Sequence, residues 1–332
     1  MKLPLLVRLL LWPFSILYGG LTQIRAWLYT RGILKQKRLS RPVISVGNLT
    51  VGGTGKTPIV IWLAERLLAQ GKRVAILSRG YKGSAGTSDE IELMKFRLQG
   101  RAKFGVGPDR YEQGKKLEPD VDLFLLDDGF QHLQLARDAN ILLLDATQPL
   151  GKQTMLPTGR LREPMTAIFR ADILIFTRAE TVPGAAISVE PLQEHPVFSA
   201  ATQLLGFRCP LSEGAILSKD EIGPGPLYAF CGIGNPRAFF QDLKNWKFIL
   251  ADQCEFPDHH RYDARDVKEI EAAAVAAGAK ALVTTEKDAQ NLCGEKFDRL
   301  PVYYAVVNLL ISKEDALLSL IQQKVEEAKM VA

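Results

Sequence analysis

Residues 42–47, PVISVG, form a short β-branched run that opens directly into Asn48-Leu49-Thr50-Val51-Gly52-Gly53-Thr54-Gly55-Lys56-Thr57. Beyond it Ile59, Val60, Trp62, Leu63 and Leu67 recur near helical spacing, Pro58 suits a first helical turn and Gly71 closes the pattern. Strand, glycine loop, Gly-Lys-Thr and helix in that order describe a phosphate-binding loop set in an α/β sheet. Gly52, Gly53, Thr54 and Gly55 let successive backbone N–H groups close around phosphate oxygens, and the helix N-terminus adds positive potential. Lys56 would reach the β- and γ-phosphates, and the Thr57 hydroxyl would ligate Mg²⁺. The strict pattern has glycine five positions before Gly55; this chain has Thr50 there.

A second feature answers the first. The apolar run 122–126 (DLFLL) ends in Asp127-Asp128-Gly129-Phe130-Gln131-His132. Acids at the carboxyl end of a buried strand are the usual complement of such a loop, holding Mg²⁺ directly or through water. If the strand is still extended there, the two acids point opposite ways, one to bind metal and one to orient it. Another buried-strand pattern, 73–78 (RVAILS), leaves through glycine-rich residues 79–87 to Ser88-Asp89-Glu90. Ligands in open α/β sheets sit beyond the carboxyl ends of strands, so Asp89 and Glu90 could face the γ-phosphate; the bland alternative is a helix cap. Asp258-His259-His260 can orient an imidazole for proton transfer, and no third ligand nearby favours a metal there. His195, beside Pro196, carries no such pattern.

Charge is uneven along the chain. The net charge is +5, yet residues 1–64 carry nine Lys and Arg with no Asp or Glu, so the remainder is mildly acidic. A basic front end on an acidic body points to an anionic surface met by the N-terminus, and against nucleic acid as partner. Residues 3–21, LPLLVRLLLWPFSILYGGL, hold a best helical piece at 5–18, about 21 Å long. That is short of a bilayer core of about 30 Å, and Pro13 is expected to kink it. No small-residue cleavage site follows; the chain runs on through Arg25, Trp27, Tyr29 and Lys35-Gln36-Lys37-Arg38. Leucines, interfacial aromatics and bases together resemble a segment lying in a cytoplasmic leaflet, on anionic lipid; the alternatives are a true span and a helix packed on the protein's own body.

The 332 residues suit two domains, and four cysteines without C-x-x-C spacing indicate neither a zinc ribbon nor a disulfide framework. Strand patterns at 43–47, 73–78, 122–127, 140–144 and 172–176 alternate with helical stretches. They predict a P-loop NTPase-like, mostly parallel α/β sheet with helices on both faces. A second, smaller α/β domain follows, with strands at 227–231, 281–284 and 302–306, a helix from about 236 and another at 264–277. The boundary falls in the proline-rich 180–225 stretch. The division is therefore 1–40 for the N-terminal membrane-surface helical segment, 41–200 for the nucleotide-binding domain and 201–332 for the C-terminal domain, which ends in an amphipathic helix at 314–329. Asp89 then falls in the first domain and His259 in the second, to meet only if the cleft between them closes.

These motifs, in this order, resemble the tetraacyldisaccharide 4′-kinase family of lipid A biosynthesis. The resemblance runs from the apolar front end to about residue 310 and takes in the variant loop with Thr50. It also covers Ser78-Arg79-Gly80-Tyr81, Asp89-Glu90, 127–132, Leu156-Pro157, 159–164 (GRLREP), 232–236 (GIGNP), 258–260 and Thr285-Glu286-Lys287-Asp288. Ser-Asp-Glu-Ile stands where the family more often has Gly-Asp-Glu-Pro. The resemblance implies ATP and Mg²⁺ as cofactors, and phosphorylation of the 4′-hydroxyl of an acylated glucosamine disaccharide 1-phosphate to give lipid IVA. It also implies a monotopic enzyme on the cytoplasmic face of the bacterial inner membrane. By position Asp89 would deprotonate the hydroxyl with His259, while Glu90, Asp127 and Asp128 would surround Mg²⁺ and the nucleotide. His260, Gln131 and Arg79 are further site residues on the same motifs. Two alternatives differ in class. A membrane-associated ATPase switch would hydrolyse ATP without a lipid acceptor, and here Val51 replaces the extra loop lysine of ParA/MinD-like switches. A GTP-using enzyme would favour Asn/Thr-Lys-x-Asp, which Glu286-Lys287-Asp288 does not supply.

Overall fold

The computed structural model describes residues 4–80, 88–148, 153–181, 195–210, 215–292 and 294–331. In chain order the main elements are α1 (Leu5–Thr30), β1 (Val43–Asn48), α2 (Lys56–Ala69), β2 (Val74–Ser78), α3 (Asp89–Leu98), β3 (Lys103–Val106) and α4 (Arg110–Leu117). Then come β4 (Leu123–Asp127), β5 (Ala139–Asp145), β6 (Ile173–Thr177), β7 (Val197–Arg208), β8 (Leu227–Cys231), α5 (Pro236–Asn245) and β9 (Leu250–Glu255). The chain finishes with α6 (Ala264–Ala276), β10 (Ala281–Thr285), α7 (Glu286–Asn291), β11 (Val302–Ile311) and α8 (Glu314–Val331).

Two compact units form. Of the described residues, the first holds those within 4–80, 95–201 and 310–331, and the second holds 88–94 and those within 202–309. The chain therefore enters the second unit twice, and its final helix α8 belongs with the first.

In the first unit the strand order is β3-β2-β4-β1-β5-β6-β7. β1 pairs in parallel with β4 (Val43 opposite Phe124) on one side and with β5 (Ile44 opposite Ala139) on the other. β1, β4, β5 and β6 are buried at every position, the reason their sequences read as continuous apolar runs. The central place of β1 puts its carboxyl end, and the loop after it, level with the end of β4, where Val46 stands opposite Asp127. Behind the loop Leu49, Phe130, Leu142, Leu144, Leu161 and Leu174 share one buried cluster. In the second unit the order is β11-β10-β8-β9, again with parallel pairing of β10 to β11 and of β8 to β10 and β9. Phe230, Tyr262, Ile270 and Leu282 form one of its cores.

Four features depart from expectation. α1 runs for 26 residues, about 39 Å, rather than ending near 18. Pro13 and Gly19-Gly20 fail to end it because the body of the first unit grips it. Ser15 Oγ donates to the Met155 carbonyl and lies 2.8 Å from Thr158 Oγ1, and Arg25 donates to the Gln131 carbonyl. Among the described residues no helix is both long and apolar enough to cross a membrane. β3 and β9, which the sequence pattern does not reveal, are edge strands of their units; solvent on one side removes the apolar run that marks a buried strand. β7, also unforeseen, carries 12 residues of strand through the proline-rich stretch. Asp89, expected in the first domain, belongs to the second unit together with His259.

Candidate active site

Gly55 is the N-cap of α2 and sits at φ +80°, and Gly52 sits at φ +109°, both in the left-handed region that favours glycine. The loop between them is tied down through its carbonyls. Arg160 donates to the Val51 oxygen at 2.8 and 3.1 Å, Arg178 to that of Gly53 at 2.6 Å, and the Thr177 hydroxyl to that of Thr54 at 3.0 Å. Among the described residues the N–H groups of Gly52, Gly53, Thr54 and Gly55 find no protein acceptor, and the buried Thr54 hydroxyl has no partner. A run of N–H donors left over around a buried hydroxyl suits an acceptor-rich ligand, and phosphate oxygens fit.

Lys56 Nζ lies 3.2 Å from Asn48 Oδ1 and 3.5 Å from Asp128 Oδ1, and the Asn48 amide itself donates to the Thr50 carbonyl at 2.8 Å. Asp127 ends β4, is buried and accepts from Ser78 Oγ at 3.1 Å. Asp128 has left the strand at φ +48° and takes Arg162 at 2.8 and 3.0 Å. Burial pushes its carboxyl pKa up, but the charges and hydrogen bonds of Lys56 and Arg162 outweigh that and hold it below the usual range. Thr57 follows Lys56 in the first turn of α2. Among the described residues no three His, Cys, Asp or Glu side chains gather as a metal cage. A hydroxyl and two acids beside a phosphate cradle could instead hold a magnesium ion that takes further oxygens from a nucleotide. Gln131 braces the loop, donating to the Asn48 carbonyl at 2.9 Å, and Arg79 stands exposed after β2.

His132 shows how charge is arranged behind these acids. Burial, then the nearby Arg110, Arg137 and Arg25, holds its pKa down to about 4. Between about pH 6.5, the ordinary histidine value, and pH 4 the unfolded chain binds a proton that the folded chain refuses. Stability is therefore present in full above that window and falls as pH is lowered through it. The urea midpoint is expected to drop between pH 7 and pH 5, and to drop less in His132→Gln. An unchanged pH slope in that variant would remove His132 as the cause.

The second unit carries the other acid pair. Asp89 opens α3, and its Oδ2 lies 3.0 Å from His259 Nδ1. Asn291 Nδ2 donates to the same oxygen at 3.1 Å. Burial raises the Asp89 pKa, but the hydrogen bonds from Asn291 and His259 prevail and leave it below the usual value. His259 Nε2 is 3.5 Å from Glu90 and 3.7 Å from Asp258, and Lys287 reaches Asp258 at 2.9 Å and Glu90 at 3.8 Å. Glu90, read from sequence as a metal acid, thus has His259 and Lys287 as its partners in this unit. His260 turns to Asp266 at 2.8 Å and stacks on Phe256.

The structure brings together Asp89 with His259, and Lys56 with Asp128. It also gives roles to residues that sequence reasoning left without one: Arg160, Arg162, Thr177 and Arg178 around the loop, and Lys287 and Asn291 around Asp89. The two arginines at alternate positions of the 159–164 motif, Arg160 and Arg162, were the signal available in that segment.

Residues 7–326 match the family model described as tetraacyldisaccharide-1-P 4′-kinase. A tetraacyldisaccharide 4′-kinase of Pelobacter propionicus is 43% identical over 307 residues, covering 86% of this chain and 83% of the relative. That of Geobacter sulfurreducens is 40% identical over 323 residues, 89% and 87%. The crystal structure of LpxK from Aquifex aeolicus in complex with ATP superposes with a TM-score of 0.75 at 33% identity, covering 96% of this chain and 99% of that one. The chain belongs to the tetraacyldisaccharide-1-phosphate 4′-kinase family.

Proposed function

We propose that this chain transfers the γ-phosphoryl group of ATP to the 4′-hydroxyl of a tetraacylated glucosamine disaccharide 1-phosphate, giving lipid IVA and ADP. The observation that carries the reading is the Asp89–His259 pair, which a hydrolytic switch has no need of, in a chain that also carries a built phosphate loop. The loop N–H groups and Lys56 take the phosphate charge. Thr57, Asp127 and Asp128 would hold Mg²⁺, which when bound would supply neutralisation of the phosphate charge. Asp89 receives the proton of the acceptor hydroxyl as its oxygen bonds to γ-phosphorus and the bond to the β–γ bridging oxygen breaks. His259 orients that carboxylate. Purified chain, ATP and detergent-dispersed tetraacyldisaccharide 1-phosphate should yield a new lipid phosphate. ATP hydrolysis at the same rate without lipid, and no lipid product, would favour the switch instead.

The acylated acceptor lives in a membrane, and α1 is suited to one. Leu6, Leu9, Leu10, Trp12, Phe14 and Leu17 are all more than half exposed, and Arg25 and Arg31 follow. An apolar, aromatic and basic helix of this kind lies in an anionic interface, consistent with monotopic attachment to the cytoplasmic face of the inner membrane. Deleting residues 1–21 is expected to weaken co-sedimentation with anionic vesicles at least tenfold and to raise the lipid KM while sparing the KM for ATP. Undiminished vesicle binding by the shortened chain would contradict this.

A further inference from the structure

Asp89 Oδ2 meets two nitrogens, His259 Nδ1 at 3.0 Å and Asn291 Nδ2 at 3.1 Å. Among the described residues its other oxygen, Oδ1, accepts no hydrogen bond. We propose that Asn291 is a positioning residue for phosphoryl transfer: with His259 it occupies Oδ2, fixes the plane of the carboxylate and leaves Oδ1 to take the proton of the acceptor hydroxyl. The proposal rests on the reading of Asp89 as the base.

The setting of Asn291 is built for this task. It ends α7, a six-residue helix capped at its start by Thr285, whose hydroxyl accepts from the Asp288 N–H. Asp288 is fully buried and accepts from the Gly232 N–H at 2.8 Å and from the Tyr262 hydroxyl at 3.0 Å. The Gly232 carbonyl in turn accepts the N–H of His259, which sits at φ +65°, and the Asn291 carbonyl accepts the N–H of Tyr262. One short helix thus locates both partners of Asp89, Asn291 directly and His259 through Asp288 and Gly232. The two partners do different work. An amide side chain donates at every working pH and carries no charge, so it orients Oδ2 without competing for the transferred proton. Only 7% of Asn291 is exposed, so water is poorly placed to replace it. Geometry this close to the reacting hydroxyl matters, because a misplacement of about 1 Å can cost a reaction roughly 10²-fold.

A series at one position tests the donor against mere packing. Asn291→Asp keeps the shape but turns the donor into an acceptor facing Asp89. Asn291→Leu keeps the size without a polar group, and Asn291→Gln keeps the donor on a longer arm. kcat, both KM values and the unfolding midpoint are measured for each beside Asp89→Asn. Loss of a hydrogen bond to a charged group sets the scale. The expected order has Gln nearest to the unmodified chain, Leu about 10-fold lower in kcat and Asp about 10²-fold lower, with both KM values within about 2-fold. A packing role reverses the order, since Asp is the closest match in shape and Gln the bulkiest. If the Leu variant does not fold, the Asp and Gln pair decides alone. The reversed order, or a flat series beside an inactive Asp89→Asn, overturns the role of Asn291 and leaves the base standing. An active Asp89→Asn overturns both.

Discussion

Lys56→Ala is expected to lower kcat by about 10²–10³-fold, the range for removing one preorganised group that meets developing charge. In the structure Lys56 Nζ rests between Asn48 and Asp128, with 16% of its side chain exposed. It packs no core and Asp128 keeps Arg162, so the one cost falls on the buried Asn48 Oδ1, which loses its donor while the amide nitrogen keeps the Thr50 carbonyl. The unfolding midpoint should therefore move by no more than about 2–4 °C, the equivalent of about 1 kcal/mol in a chain of this size. Thr57→Ala should be lost to a similar degree and partly recovered by raised Mg²⁺, whereas Thr57→Ser should retain most turnover because the hydroxyl is kept. Turnover like that of the unmodified chain in either alanine variant would defeat the assignment of the loop.

Removal of the proposed base, Asp89, or of the imidazole beside it should be as severe. A sugar hydroxyl is a poor nucleophile near neutral pH, and an isolated aspartate, with a pKa of about 3.9, is a weak base. Here burial and opposing hydrogen bonds from Asn291 and His259 leave Asp89 lower still, so its value as a base comes from placement and from the imidazole 3.0 Å away. Asp89→Ala and His259→Ala are each expected to lower kcat by roughly 10²–10⁴-fold with little change in ATP affinity. Groups that act as a unit lose their effect together, so the double variant should be scarcely worse than the worse single one. Fully multiplicative losses would show two separate roles. His260→Ala should instead act on stability, because that ring is spent on Asp266 and Phe256.

The residues that were legible in the chain are those whose chemistry is local. Asn48 through Thr57 declare a phosphate loop because glycine spacing, lysine and hydroxyl all act within one turn of backbone. Val46, standing opposite Asp127, confirms the strand end on which the acids were placed. The buried strands β1, β2, β4, β5, β6, β8 and β10 could be read because cover on both faces demands an unbroken apolar run. β3 and β9 could not, since an edge strand satisfies half its environment with water and keeps no such run.

What the tertiary structure alone decided lies at long range. α1 passes Pro13 and two glycines because Ser15 and Arg25 find partners more than a hundred residues away. Arg160, Arg162 and Arg178 reach the loop or its acids from segments whose local pattern does not say what they meet. Asp89 was legible as an acid beyond a strand, but not as part of the second unit, where His259 stands 170 positions away in sequence and Asn291 202. Periodicity and loop chemistry are written over a few residues, so sequence determines them. Which carboxylate oxygen meets which nitrogen depends on the path of the whole chain, and only the folded backbone sets that distance.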